Sequence, residues 1–301
     1  MNLWVLGSGE AISRYEKKVK KLKNKKTIAL QACFPHIYFN YGVIPTYWTW
    51  GDPNGAMEGL NYLNSLTTKE LSKFKNMKVL VPSYCNDSIE EFRKYAGSTP
   101  LERQWLKYPS GAIDFCAGWK NYKFLLKEVE SRGINIEVID ATTTKYIKNN
   151  PNSEPLLRNT NWIQQEFKQR FKIGKAIFGT CEYDSESVIG NKFIWGLENK
   201  LSSIMFPIAQ KLKAKKIFVL GFDHVGGRFY KTEDGRHPWN DETQKEELDE
   251  VVSIPLKMVK LWSEQKKAHG MEIYNVVEEP YTFLNRALEY KDFDVALKEI
   301  K

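Results

Sequence analysis

Seven short apolar runs alternate with helical patterns along this 301-residue chain, and that alternation restricts its fold more than any other feature. The runs fall at residues 3–6, 27–32, 46–50, 78–81, 134–139, 217–220 and 272–276. Strands separated by helices are joined by crossovers, which make neighbouring strands parallel and leave both sheet faces covered. The chain is therefore expected to be α/β, one Rossmann-like three-layer sandwich over residues 1–301 with a mostly parallel sheet. Helical patterns stand at 122–131, stopped by Arg132-Gly133, at 243–267, kinked by Pro255, and at 281–300, expected to be one amphipathic helix. Two stretches, 83–119 and 149–196, break the alternation with turn-forming and aromatic residues. They are expected to be insertions on the sheet scaffold, where specificity commonly resides.

Hydrophobic residues make up 42% of the chain, enough for a real core, and no apolar run reaches the length of a membrane span. The opening Met1-Asn2-Leu3-Trp4-Val5-Leu6-Gly7 lacks the basic region of a signal peptide and is expected to be a strand. Cys33, Cys85, Cys116 and Cys181 form no CxxC pair, which argues for reduced thiols, a cytoplasmic protein and no zinc site. The net charge is +8, and much of it lies in the run from Lys17 to Lys26. Such a run is either a solvated helix face or a peripheral contact with phosphate polymers or an anionic membrane, the latter at the inner membrane face. Elsewhere the basic and aromatic residues are not interleaved as nucleic-acid binding requires. Self-association is left open.

Chemistry concentrates in a few places. Residues 202–223 read as a helix opening on Ser202 and Ser203, then a buried strand that ends in Gly221-Phe222-Asp223. Hydroxyls and free backbone N–H groups at a helix start favour an anion, and a carboxylate at the C-terminal end of a strand lies where open α/β sheets bind ligands. Gly7-Ser8-Gly9 follows the first strand; it either lets a ligand phosphate or nucleoside approach the backbone or simply makes a tight turn. The third glycine of a dinucleotide fingerprint is missing, so a plain NAD site is not expected. Asp52 ends the third strand and is either a ribose or base acceptor or a helix cap, whereas Trp48 and Trp50 are expected in the core. The polar loop 224–241 contains His224, Tyr230 and His237. His237, flanked by glycine and polar residues, is a general-base candidate because imidazole titrates near neutrality, and His224 could donate to a phosphate.

The order of these motifs resembles the bacterial lipooligosaccharide sialyltransferases that use CMP-sialic acid, together with the wider set of motility accessory factors and 6-hydroxymethylpterin diphosphokinases. The shared series is Gly7-Ser8-Gly9, the strand leading to Asp52-Pro53, the Ser202-Ser203 segment before Leu220-Gly221-Phe222-Asp223, and a downstream loop histidine. The resemblance implies a glycosyltransferase that moves sialic acid or another nonulosonic acid from a CMP-linked donor to a glycan hydroxyl, without a metal. It implies a nucleotide site at Gly7, Ser8, Gly9, Gln31, Asp52, Ser202, Ser203 and Asp223. It also implies a lid over 224–241 in which Tyr230 holds the leaving phosphate and His237 takes the acceptor proton. Where that family usually carries asparagine, this chain has Ser8, Gln31 or Ala32, and Asp52. The alternatives are an ATP- and Mg²⁺-dependent diphosphokinase using Asp52 and Asp223, and a phosphate- or nucleic-acid-binding module without chemistry.

Overall fold

The computed structural model describes residues 1–51, 53–86, 115–139, 201–223, 256, 259–260, 262–264, 266 and 270–299. Eight strands form one sheet in the order β5-β4-β3-β2-β1-β6-β7-β8. They are β1 (Asn2–Leu6), β2 (Thr27–Leu30), β3 (Tyr47–Thr49), β4 (Lys78–Pro82), β5 (Asn135–Ile139), β6 (Lys216–Leu220), β7 (Glu272–Asn275) and β8 (Glu289–Tyr290). β1 pairs in parallel with both β2 and β6, β2 with β3, β6 with β7, and β7 with β8. This is the α/β, Rossmann-like sheet expected from the alternating runs. Each of the seven runs is a strand, to within a residue or two at its ends.

Among the described residues the α-helices are α1 (Ala11–Arg14), α2 (Glu16–Val19), α3 (Cys33–Tyr41), α4 (Pro53–Ser65), α5 (Thr68–Leu71), α6 (Ser83–Asn86), α7 (Phe115–Ser131), α8 (Phe206–Lys211) and α9 (Phe293–Lys298). Among the described residues no helix is long and apolar enough to cross a membrane.

The chain divides into two compact units. One comprises 1–49, 76–79 and 209–301, and the other 50–75 and 80–208. In the first, Leu3 to Leu6 of β1 and Ile217 to Leu220 of β6 are completely buried, as expected for central parallel strands covered on both faces. Trp4 packs against Phe218 at 5.4 Å and Phe293 at 4.6 Å between ring centres, so the last helix is anchored to the central strand. In the second unit α4 packs on α7, Trp50 meets Tyr122 edge-on at 6.0 Å, and Asn64 donates to the carbonyl of Leu125 at 3.0 Å. The Arg132 guanidinium donates to the carbonyls of Leu63, Asn64 and Leu66, satisfying backbone acceptors left over at the end of α4.

Three sequence expectations need correction. The stretch 281–300 is not one helix. It forms a 3-10 turn (Leu284–Arg286), then β8, then α9. Asp292 sets the late helix start by accepting from the N–H groups of Asp294 and Val295. The second strand stops at Leu30 because Gln31 turns left-handed, with φ 51. The helix expected to start at 122 begins earlier, since α7 starts at Phe115, inside the stretch 83–119. The segments 87–114 and 149–196, and the expected lid 224–241, lie outside the described residues.

Candidate functional site

Strand order points to a candidate site. From β1 the chain steps outward through β2, β3, β4 and β5 on one side, while β6, β7 and β8 step outward on the other. The direction reverses between β1 and β6, and the crevice outside the C-terminal ends of two such strands is where open α/β sheets bind ligands. Gly7-Ser8-Gly9 leaves β1 at that point, and Gly221-Phe222-Asp223 leaves β6 beside it.

The two turns are fastened together through their backbones. Gly7 N–H donates to the Leu220 carbonyl at 2.8 Å, and Gly9 N–H to the Gly221 carbonyl at 2.7 Å. A methyl group on Gly7 would lie 2.2 Å from the Gly221 carbonyl oxygen, and one on Gly9 would lie 2.2 Å from Asp223 Oδ2. Both glycines are thus required by the close approach of the chain's own second turn. Of the three turn residues, Ser8 alone keeps its backbone N–H free of partners among the described residues, and Ser8 is half-buried.

Asp223 is the hub. Only 2% of it is exposed. Its Oδ2 accepts the Ala11 N–H at 2.8 Å and so caps α1, while its Oδ1 is buried without a hydrogen-bond partner among the described residues. Its main-chain carbonyl accepts from Phe283 N–H at 2.9 Å and from the Thr282 hydroxyl at 3.4 Å. Burial pushes the carboxyl up to about 7; Glu10 adds to the rise, and the Ala11 hydrogen bond and the Arg14 charge oppose it. A carboxyl poised near neutrality between two strand ends can hold or release a proton in the physiological range.

The loop after β7 supplies residues that the sequence did not point to. Arg14 lies over the Tyr281 ring at 3.9 Å, and Tyr15 Oη accepts the Glu278 N–H at 3.1 Å. Asn275 and Asn285 bond each other at 2.6 Å, and both donate to the Val277 carbonyl. About 270 residues of chain separate Arg14 from Tyr281, so no local pattern could have paired them.

Of the residues expected at the site, Gly7, Ser8, Gly9 and Asp223 come together. Gln31 stands at the C-terminal end of β2. Its N–H donates to the Thr49 carbonyl at 2.7 Å, and its own carbonyl accepts Trp48 Nε1 at 2.9 Å. Trp48 and Trp50 are fully buried. Ser202 and Ser203 do not open a regular α-helix; they lie within a π-helical turn, Leu201–Met205, and Ser202 is fully buried. Asp52, His224, Tyr230 and His237 lie outside the described residues.

No protein-family model and no curated protein matches the chain. Similar solved structures include the sialyltransferase CstII from Campylobacter jejuni in complex with a substrate analogue, cytidine-5'-monophosphate. It is 12% identical, covers 97% of this chain and 85% of its own, and has a TM-score of 0.42. The sialyltransferase CST-II in complex with a trisaccharide acceptor and CMP is 12% identical, covers 96% and 85%, and has a TM-score of 0.37. At these values the likeness assigns no activity to this chain.

Proposed function

We propose that this protein is a glycosyltransferase that moves a nonulosonic acid such as sialic acid from a CMP-linked donor to a glycan hydroxyl. The observation that carries the reading is the meeting of Gly7-Ser8-Gly9 with Gly221-Phe222-Asp223 at the reversal of strand order between β1 and β6. In this reading the nucleotide lies over that junction, with Ser8 presenting its free N–H and Gln31 standing at the end of β2. Tyr230 balances the charge of the departing phosphate. His237 removes the acceptor proton as general base. The C–O bond from the sugar to the CMP phosphate breaks and a C–O bond to the acceptor oxygen forms, so CMP leaves with both electrons of the broken bond. The resemblance in motif order described above supports the donor class.

Thermal-shift measurements with CMP, UDP, GDP and ATP, each with and without Mg²⁺, test this reading. A ligand that binds only the folded chain raises its melting temperature by mass action. CMP is expected to stabilise without added metal. Stabilisation by ATP with Mg²⁺ alone would replace this reading with phosphoryl transfer.

A further inference from the structure

The lysines of this chain are distributed by the fold in a way the linear run does not reveal. In the unit comprising 1–49, 76–79 and 209–301, the 3-10 turn Lys20–Asn24 runs down to the N-terminal end of β2. Lys23 and Lys26 are exposed there. Lys213 and Lys215 are exposed just before β6. β2 and β6 flank β1 on either side, so their starts are two strand spacings apart, about 10 Å. Four exposed lysines from two distant segments therefore share the N-terminal rim of the sheet, the end away from Gly7 and Asp223.

None of the four takes part in an ion pair among the described residues. The described acidic groups near this rim are already engaged. Glu299 is bonded to Lys216 at 2.6 Å and to Lys291 at 2.7 Å, and Glu272 to Lys266 at 2.9 Å. Nearby, Glu16 is held by Lys20 at 2.7 Å and Asp294 by Lys18 at 2.9 Å.

An apolar group accompanies the charge. The Lys23 ammonium lies against Gly42, at the end of α3; a methyl group on Gly42 would lie 3.0 Å from its Nζ. Phe39, one turn earlier on α3, is 51% exposed. The described arginines of this unit, Arg14 and Arg286, stack on Tyr281 and Phe283 and do not join the rim. Lysine point charges without arginine forks, beside an exposed phenylalanine, suit mobile anionic headgroups over an acyl boundary better than the fixed phosphates of a duplex.

We infer that the N-terminal rim of the sheet, through Lys23, Lys26, Lys213, Lys215 and Phe39, docks this protein on an anionic lipid surface. The turns at Gly7 and Gly221 lie at the opposite ends of the strands and so face away from the membrane. This inference is independent of the proposed chemistry, because it uses none of the residues placed at that site.

Co-sedimentation with vesicles tests it. The full chain is expected to sediment with phosphatidylcholine vesicles that contain phosphatidylserine and to remain in solution with phosphatidylcholine alone. Each lysine near such a surface contributes about fivefold to partitioning, so the double variant K26E/K215E should bind at least about thirtyfold more weakly. Phe39→Ser should weaken binding without abolishing it. The matched variant K120E/K127E, which reverses two exposed lysines of the other unit, should bind like wild type. Equal losses in the two double variants would show that net charge alone attracts the protein and would overturn the rim. So would binding to both vesicle types alike, or duplex DNA displacing the protein from phosphatidylserine vesicles at equal phosphate. Circular dichroism on each variant separates lost binding from lost folding.

Discussion

Asp223 offers the sharpest physical prediction. Its carboxyl is nearly fully buried, one oxygen caps α1 through Ala11 and the other has no partner among the described residues. Burial raises it from 3.8 to about 7. Between those two values the folded chain holds a proton that the unfolded chain has released, so stability must fall as pH rises through this window. The window spans about three pH units at about 1.4 kcal/mol each, so ionised Asp223 costs the fold about 4 kcal/mol once the pH exceeds 7. Asp223→Asn keeps an oxygen for Ala11 and removes the charge, but leaves a buried amide N–H unpaired at a cost of about 1–3 kcal/mol. Urea unfolding of both proteins from about pH 4 to about pH 8 isolates this group, because other titrations cancel in the difference. Wild type is expected to be the more stable of the two near pH 4 and the less stable, or at best equal, near pH 8. The difference should change by about 4 kcal/mol, all in the direction of falling wild-type stability. A flat difference, or one that grows with pH, would refute the account of a carboxyl desolvated at the junction.

Gly7→Ala places a methyl group against the Gly221 backbone, which cannot rotate away, and should cost about 3 kcal/mol or more in denaturant unfolding. Gly133→Ala is its control: open space surrounds that position, and only its φ of +90 opposes the change, at about 1 kcal/mol. Arg132→Leu removes the donor to three carbonyls at the end of α4 and should destabilise the chain by about 2 kcal/mol, read from the urea midpoint at constant slope. His237→Ala should lower transfer turnover about a hundredfold while leaving CMP affinity near wild type, since a general base acts in the transition state. A nearly active His237→Ala beside an inactive His224→Ala in the same transfer assay would move the base to His224.

The sheet was legible because parallel strands buried on both faces leave short apolar runs that survive as pattern, and β1 and β6 are the clearest of these. β8 left no such mark, being two exposed residues whose pairing depends on the Lys291 N–H reaching the Asn275 carbonyl. The Asp292 cap was not read from the sequence, and its hold on Asp294 and Val295 outweighed the longer apolar spacing across 281–300. The end of β2 was not legible, since glutamine carries no preference for the left-handed region that Gln31 adopts. At the site, the glycines marked a place where backbones approach closely. Sequence could not tell whether the approaching group was a ligand or the chain itself, and for Gly7 and Gly9 it is the Gly221–Asp223 turn. Asp223 was correctly placed at the end of its strand, but its burial and its hold on Ala11 depend on contacts across more than two hundred residues.

The measurement that bears most directly on the proposed activity is the mass of a labelled glycan acceptor after incubation with CMP-sialic acid and the protein in the presence of a chelator. The account predicts a gain equal to one sialic acid residue, with one CMP released per acceptor modified. An unchanged acceptor, with CMP-sialic acid intact or merely hydrolysed, would contradict it.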